Sequence, residues 1–416
     1  MRLPSETAIG SEPHEAAEKL PTAPTPLFRS FFMGGFECST HYRSDGYRLD
    51  ITAATRHDQR CAEDYRLLWS VGIQTVRDGA RWHLIEPTPR SYDWSSLIPM
   101  AMAAEQTGTE VIWDLLHYGW PDHLDLWSPM FVESFAHYAG QTARMLRELT
   151  GRTPWFVPIN EISFMAWGAG DVGVLHPFAI GRGEELKRQL ARAAIAAIHA
   201  IREIDPGARF LQVEPIIHVI PQPYDPFSAE RAARHTEAQF AAFDMLSGRI
   251  CPELGGSEDC LDVVGLNYYC HNQWMEGGPP IPWNEAHPLY QPPHELFVAV
   301  HRRYGRPMII AETGIEAELR PSWFTHVCAE VRRAALAGAD FRGICLYPVM
   351  NHPGWADDRH CPNGLIDYDR QTFDRMLDMP LATTLHDMRA QMKTDPKGAL
   401  AAPDGNAFGA RLVTTV

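Results

Sequence analysis

From Phe31 onward the chain repeats one pattern. A short run of β-branched or aromatic residues ends in polar ones, and a longer stretch follows with apolar positions three and four apart. The short runs predict eight strands: 32–37, 73–78, 110–116, 155–160, 209–214, 263–269, 308–312 and 343–347. Between them the longer period predicts eight helices, over 58–70, 95–107, 129–149, 183–204, 229–246, 292–304, 321–336 and 372–392. Ser95 and Pro321 are suitable helix starts, and Gly72, Gly108 and Gly305 stand where helices stop. Eight such alternations suit an open doubly wound sheet as well as a closed barrel. No Gly-x-Gly-x-x-Gly turn follows the first strand, however, which removes the main reason to expect a dinucleotide fold. The expectation is an α/β protein, a single (β/α)8 TIM barrel over residues 29–392, with tails at 1–28 and 393–416.

Composition narrows the partners. With 52 acidic and 37 basic residues the 416-residue chain carries a formal charge of −15, which repels nucleic acid and anionic membranes. Apolar runs such as Met308 to Ala311 are far shorter than the roughly 20 residues that span a bilayer. The first residues lack the basic start and hydrophobic block of a secretory signal, and the eight cysteines show no Cys-x-x-Cys spacing. A cytoplasmic protein with reduced thiols is expected. The 19 histidines form no His-Glu-x-x-His or paired Cys/His pattern, so neither a metal nor another cofactor is expected.

Catalytic groups of such barrels sit at the carboxyl ends of the strands. The polar residues that end the runs here are Arg77-Asp78, His117, Asn160-Glu161, Glu214, Asn267-Tyr268-Tyr269 and Glu312-Thr313. Glu161 after WFVPIN and Glu312 after MIIA stand out, because each puts a charge where an apolar run ends. Either alone is equally a rim salt bridge. Together, on strands 4 and 7, they are expected to face each other across the mouth, where a separation of about 5 to 5.5 Å suits double-displacement glycoside hydrolysis. Asn160 offers an amide to a sugar hydroxyl, and Arg77 with the Asn-Tyr-Tyr end of strand 6 offers donors that keep a carboxylate ionised.

Between Phe31 and Tyr368 the chain resembles the family-1 glycoside hydrolases, β-glucosidase-like barrels. The segments that carry the likeness are FFMGG, EDYRLLWSVGIQTVRDGARWHLIEP, LLHYGWPDHL, WFVPINEI, VVGLNYY and IIAETG. The resemblance implies Glu312 as nucleophile, Glu161 as general acid/base, and Asn160 at the sugar 2-hydroxyl. It implies Arg77 and Tyr269 as supports that keep the Glu312 pKa low, and His117 as a ligand of a glycone hydroxyl. Asn267, two residues before Tyr269, points to the same face and joins the substrate-binding set. Ionised Glu312 would hold Glu161 protonated until the glycosyl ester forms.

The likeness fails where the sugar is identified. His41 stands in place of a first-strand glutamine, Tyr347 in place of a tryptophan, and Gly354 in place of the glutamate that precedes Trp355. His41, Tyr347 and Trp355 are therefore expected to bind substrate differently, with Trp355 the one tryptophan assigned as a sugar platform. Asp357 or Asp358 could reach the same hydroxyls, though a solvated acidic turn is the plainer reading. Glu37 and Glu214 are reserve candidates, for substrate or for Arg77. The expected function is a retaining β-glycosidase acting on a small soluble glycoside. A transglycosylase using the same intermediate and a sugar-binding barrel without turnover are the alternatives.

Overall fold

The computed structural model describes residues 26–285 and 287–393; most of the two expected tails lies outside them. Each predicted strand forms. They are β1 (Phe32–Gly35), β2 (Thr75–Gly79), β3 (Glu110–Asp114), β4 (Trp155–Val157), β5 (Arg209–Pro215), β6 (Val263–Asn267), β7 (Met308–Thr313) and β8 (Phe341–Leu346). All pair in parallel and in chain order, and β1 bonds to both β2 and β8, closing the barrel. The fold is the expected (β/α)8 barrel. Closure leaves no unpaired edge.

The period-2 alternation sorts the side chains. Met33, Ile112, Leu211, Val213 and Ile309 fill the lumen, and Phe28 closes its lower end on Trp155, ring centroids 4.7 Å apart. The alternate residues face the helices and belong to the larger outer core, where each buried aliphatic or aromatic side chain contributes roughly 1.5–3 kcal/mol. Following the lumen-facing rows upward, apolar residues give way to Arg77, Asp114 and Tyr347, each two residues beyond an inward neighbour or in register with one. Gly35 makes room there: a Cβ on it would lie 2.1 Å from Cδ2 of Tyr347.

Around the barrel lie α1 (His57–Ser70), α2 (Ile98–Thr107), α3 (Pro129–Thr150), α4 (Gly183–Ile204), α5 (Ser228–Ala238, resuming at Ala241–Leu246), α6 (Pro293–Tyr304), α7 (Arg320–Leu336) and α8 (Met379–Lys393). Two differ from expectation. The fifth is interrupted at Gln239 and Phe240, where the Gln239 side chain accepts from Ile217 N at 2.9 Å. The eighth starts later than residue 372: Arg375–Leu377 instead pairs antiparallel with Ile366–Tyr368, and Arg375 reaches Asp64 on α1 at 2.6 and 3.0 Å. Among the described residues no helix is long and apolar enough to cross a membrane. All eight cysteines are free thiols.

Candidate active site

Glu312 reaches the lumen through an irregularity. Ile309 and Ala311 point inward, so strict alternation would turn Glu312 outward and Thr313 in. Pairing with β6 slips between Leu266–Ile310 and Asn267–Glu312, and pairing with β8 slips at the same level. This β-bulge aims Glu312 at the mouth and leaves Thr313 facing α7, where it accepts from Trp323 Nε1 at 2.9 Å. Glu161 is placed differently. Its backbone is left-handed (φ 48°), and its amide donates to Val213 O at 3.1 Å. A non-glycine residue held there stores roughly 1–3 kcal/mol of strain.

One chain of hydrogen bonds joins the two carboxyls, although β4 and β7 stand three staves apart rather than on opposite sides of the barrel. Arg77 donates to Glu312 Oε1 (3.0 Å) and to Asn160 Oδ1 (3.1 Å). Asn160 Nδ2 donates to the Tyr118 hydroxyl (2.9 Å), and that hydroxyl donates to Glu161 Oε2. Tyr269 donates to Glu312 Oε2 at 2.9 Å and Asn267 Nδ2 to Glu161 Oε1 at 2.8 Å. Both carboxyls are therefore held at both oxygens.

Electrostatics corrects one expectation. Burial raises the Glu312 carboxyl to about 7; Arg77 draws it down, Glu161 pushes it up, and the Tyr269 bond lowers it. Arg77 restrains this pKa without making it low, because its own charge is shared with Asp114 at 2.6 Å. Burial also raises Glu161, against the donations of Tyr118 and Asn267. The two titrate as a pair. Arg77 bonds Glu312 directly, whereas Tyr118 and Asn267 bond Glu161 and the charges of His117 and Arg77 act on it without a hydrogen bond.

The remaining predicted residues converge on this network to different degrees. His117 is bonded through Nδ1 to Asp114 (3.1 Å), while Nε2 lies 3.3 Å from the Tyr347 hydroxyl. His41 is buried and held neutral, its pKa lowered to about 4 by burial, and its Nδ1 has no partner. Its ring meets the edges of Trp355 and Tyr118, with centroids 5.0 and 6.1 Å away. Half-buried Trp355 is thus at the mouth. Asp357 caps Arg359 N and Asp358, 87 % exposed, pairs with Arg43, so both belong to the surface turn. Glu214 does not meet Arg77: it lies behind Glu161, accepts from Ser163 N at 3.0 Å, and is pushed up to about 8 by burial.

Sequence reading did not single out Asp114 or Tyr118 for a role. Asp114 lies inside the third apolar run, and only its lumen-facing register marks it. Tyr118 follows His117 in a left-handed conformation (φ 66°). Two buried trios bring metal-ligand atoms within 4.8 Å of one another, Cys38-Asp114-His117 and His57-Cys61-Asp78. In the first, Asp114 already accepts from Arg77 and His117; in the second, both His57 nitrogens are bonded to carboxylates, Asp64 and Asp78.

The structure is thus a parallel eight-stranded barrel with two buried carboxyls, Glu161 and Glu312, beyond β4 and at the end of β7. No family model matches the chain. A curated thermostable β-glucosidase B of Thermobispora bispora is 25 % identical over 392 aligned residues, 80 % of each chain. Solved structures agree in fold. The AHE enzyme of Alicyclobacillus herbarius superposes with TM-score 0.73 at 16 % identity, over 90 % of this chain and all of that one. Virulence factor SghA of Agrobacterium tumefaciens gives 0.71 at 18 %, over 86 % and 97 %, and has also been solved with its substrate analogue salicin. A family 1 β-glucosidase of Thermotoga maritima gives 0.68 at 15 %, over 87 % and 98 %. The chain has the β-glucosidase-like (β/α)8 fold of the family-1 glycoside hydrolases.

Proposed function

We propose that the protein is a cytoplasmic retaining β-glycosidase that hydrolyses a small glycoside by double displacement. The observation that carries this reading is the bonded chain Glu312–Arg77–Asn160–Tyr118–Glu161, which ties two buried carboxyls of unequal environment into one unit. In the first step ionised Glu312 attacks the anomeric carbon while Glu161 gives its proton to the departing oxygen. Ester formation removes the Glu312 charge, the Glu161 pKa falls, and Glu161 then takes a proton from the attacking water. Tyr118 assists this half: its hydroxyl, already accepting from Asn160, aims its proton at Glu161 and favours the charged form. His41, His117, Asn160, Tyr347 and Trp355 surround the sugar, and no cofactor is needed for the chemistry.

The test uses an activated aryl β-glycoside. Glu312→Gln is expected to fall to background. Glu161→Gln is expected to lose about 10²–10⁴-fold on substrates with poor leaving groups and far less on activated ones. Azide is expected to rescue Glu161→Ala with retained configuration, and a 2-fluoro glycoside to label Glu312, read by mass. Near-parental turnover by both glutamine variants would falsify the assignment.

A further inference from the structure

The mechanism leaves one strand-end carboxylate at the mouth unused. Glu37, just beyond β1, is only 8 % exposed. Its Oε1 accepts from the backbone N of Ser39 (2.9 Å) and from the Ser39 hydroxyl. Its Oε2 accepts from no described residue, yet is not among the fully buried unpartnered atoms, so it faces open space. His117 Nε2 is 3.9 Å from Glu37 Oε1 and 3.3 Å from the Tyr347 hydroxyl, and Gly35 seats strand 1 directly against Tyr347. The charge of Glu37 acts on His41, His117, Tyr118, Tyr269 and Tyr347. Against burial, His117, His352 and the two Ser39 donors hold the group ionised.

We infer that Glu37 Oε2 is a glycone anchor: it accepts from a sugar hydroxyl remote from the anomeric carbon and selects a neutral glycone. This rests on the glycosidase reading above. The reacting carboxyls come from β4 and β7, whereas Glu37, His117 and Tyr347 rise from β1, β3 and β8, so a pyranose ring seated at Glu312 extends its far hydroxyls toward Glu37. An ionised carboxylate accepts and cannot donate, hence it recognises O–H groups and repels carboxylate or phosphate. Arg77, the arginine bonded within the network, is taken up by Asp114 and Glu312.

The experiment measures kcat/KM for a set of aryl β-glycosides lacking one hydroxyl at a time, together with glucuronide and 6-phospho analogues, in parental protein and in Glu37→Gln. Melting curves establish that the variant is folded; Glu37→Asp, which keeps the charge and shortens the reach, replaces it under the same criterion if not. One remote hydroxyl is expected to be worth roughly 10- to 100-fold in the parent, and that penalty is expected to shrink in the variant. The anionic analogues are expected to be poor substrates that gain relative to neutral ones in Glu37→Gln. Turnover with every deoxy penalty unchanged by the variant, or anionic glycosides preferred by the parent, overturns the anchor. No turnover of any glycoside and no label on Glu312 overturns instead the glycosidase reading, and the anchor with it.

Discussion

At Glu312 three influences compete: burial raises the carboxyl, Arg77 draws it down and Glu161 pushes it up, and the balance stands at about 7. The Glu161 contribution can be removed by itself. In Glu161→Gln the like charge is gone, so Glu312 ionises at lower pH. The rate at which an activated 2-fluoro glycoside labels Glu312 falls as pH drops through that pKa, and its acidic limb is expected to move to lower pH in the variant. An unmoved limb would mean that Glu161 is still protonated, and so exerts no like charge, when Glu312 ionises. At this scale the sequence shows residue types well and partners badly. Asn267 and Tyr269 share a face, yet one bonds Glu161 and the other Glu312. Asp114 escapes notice because a polar residue inside an apolar run reads as strand until a neighbouring stave supplies Arg77, and Tyr118 because a single loop aromatic has no marked role until Glu161 meets it.

Strands and helices were legible because their periods are local, set by neighbours two to four residues away. Departures occur where a distant group intervenes. The slip in β7 that presents Glu312 depends on hydrogen-bond register with β6 and β8, which alternation within MIIAET cannot reveal. The late start of α8 depends on Arg375, which extends the chain to reach buried Asp64. Arg375→Ala is expected to destabilise the protein by about 3 kcal/mol, the low end for a broken buried pair, since His57 remains bonded to Asp64. Urea unfolding measures this. A change below about 0.5 kcal/mol, typical of a surface site, would show that the hairpin is held by other contacts.

For the molecule as a whole, stability against pH follows from carboxyls that the fold keeps protonated. Glu214 sits at about 8 in the folded chain against 4.5 for the ordinary group. The native state thus retains a proton that the unfolded chain releases above pH 4.5, so its contribution is complete below that pH and is lost progressively as pH rises toward 8. The loss by pH 7 is on the order of 3 kcal/mol. Glu214→Gln, whose amide oxygen can still accept from Ser163, is expected to raise the melting temperature at pH 8 much more than at pH 5; an equal shift at both would contradict the linkage. The amino-acid sequence alone determined the number, order and type of the staves and the acids at their ends, because periodicity and strand-end polarity are properties of short segments. Tertiary structure decided which acid meets which donor, which oxygen stays open and which pKa moves, because barrel closure sets the distances and the burial from which all three arise.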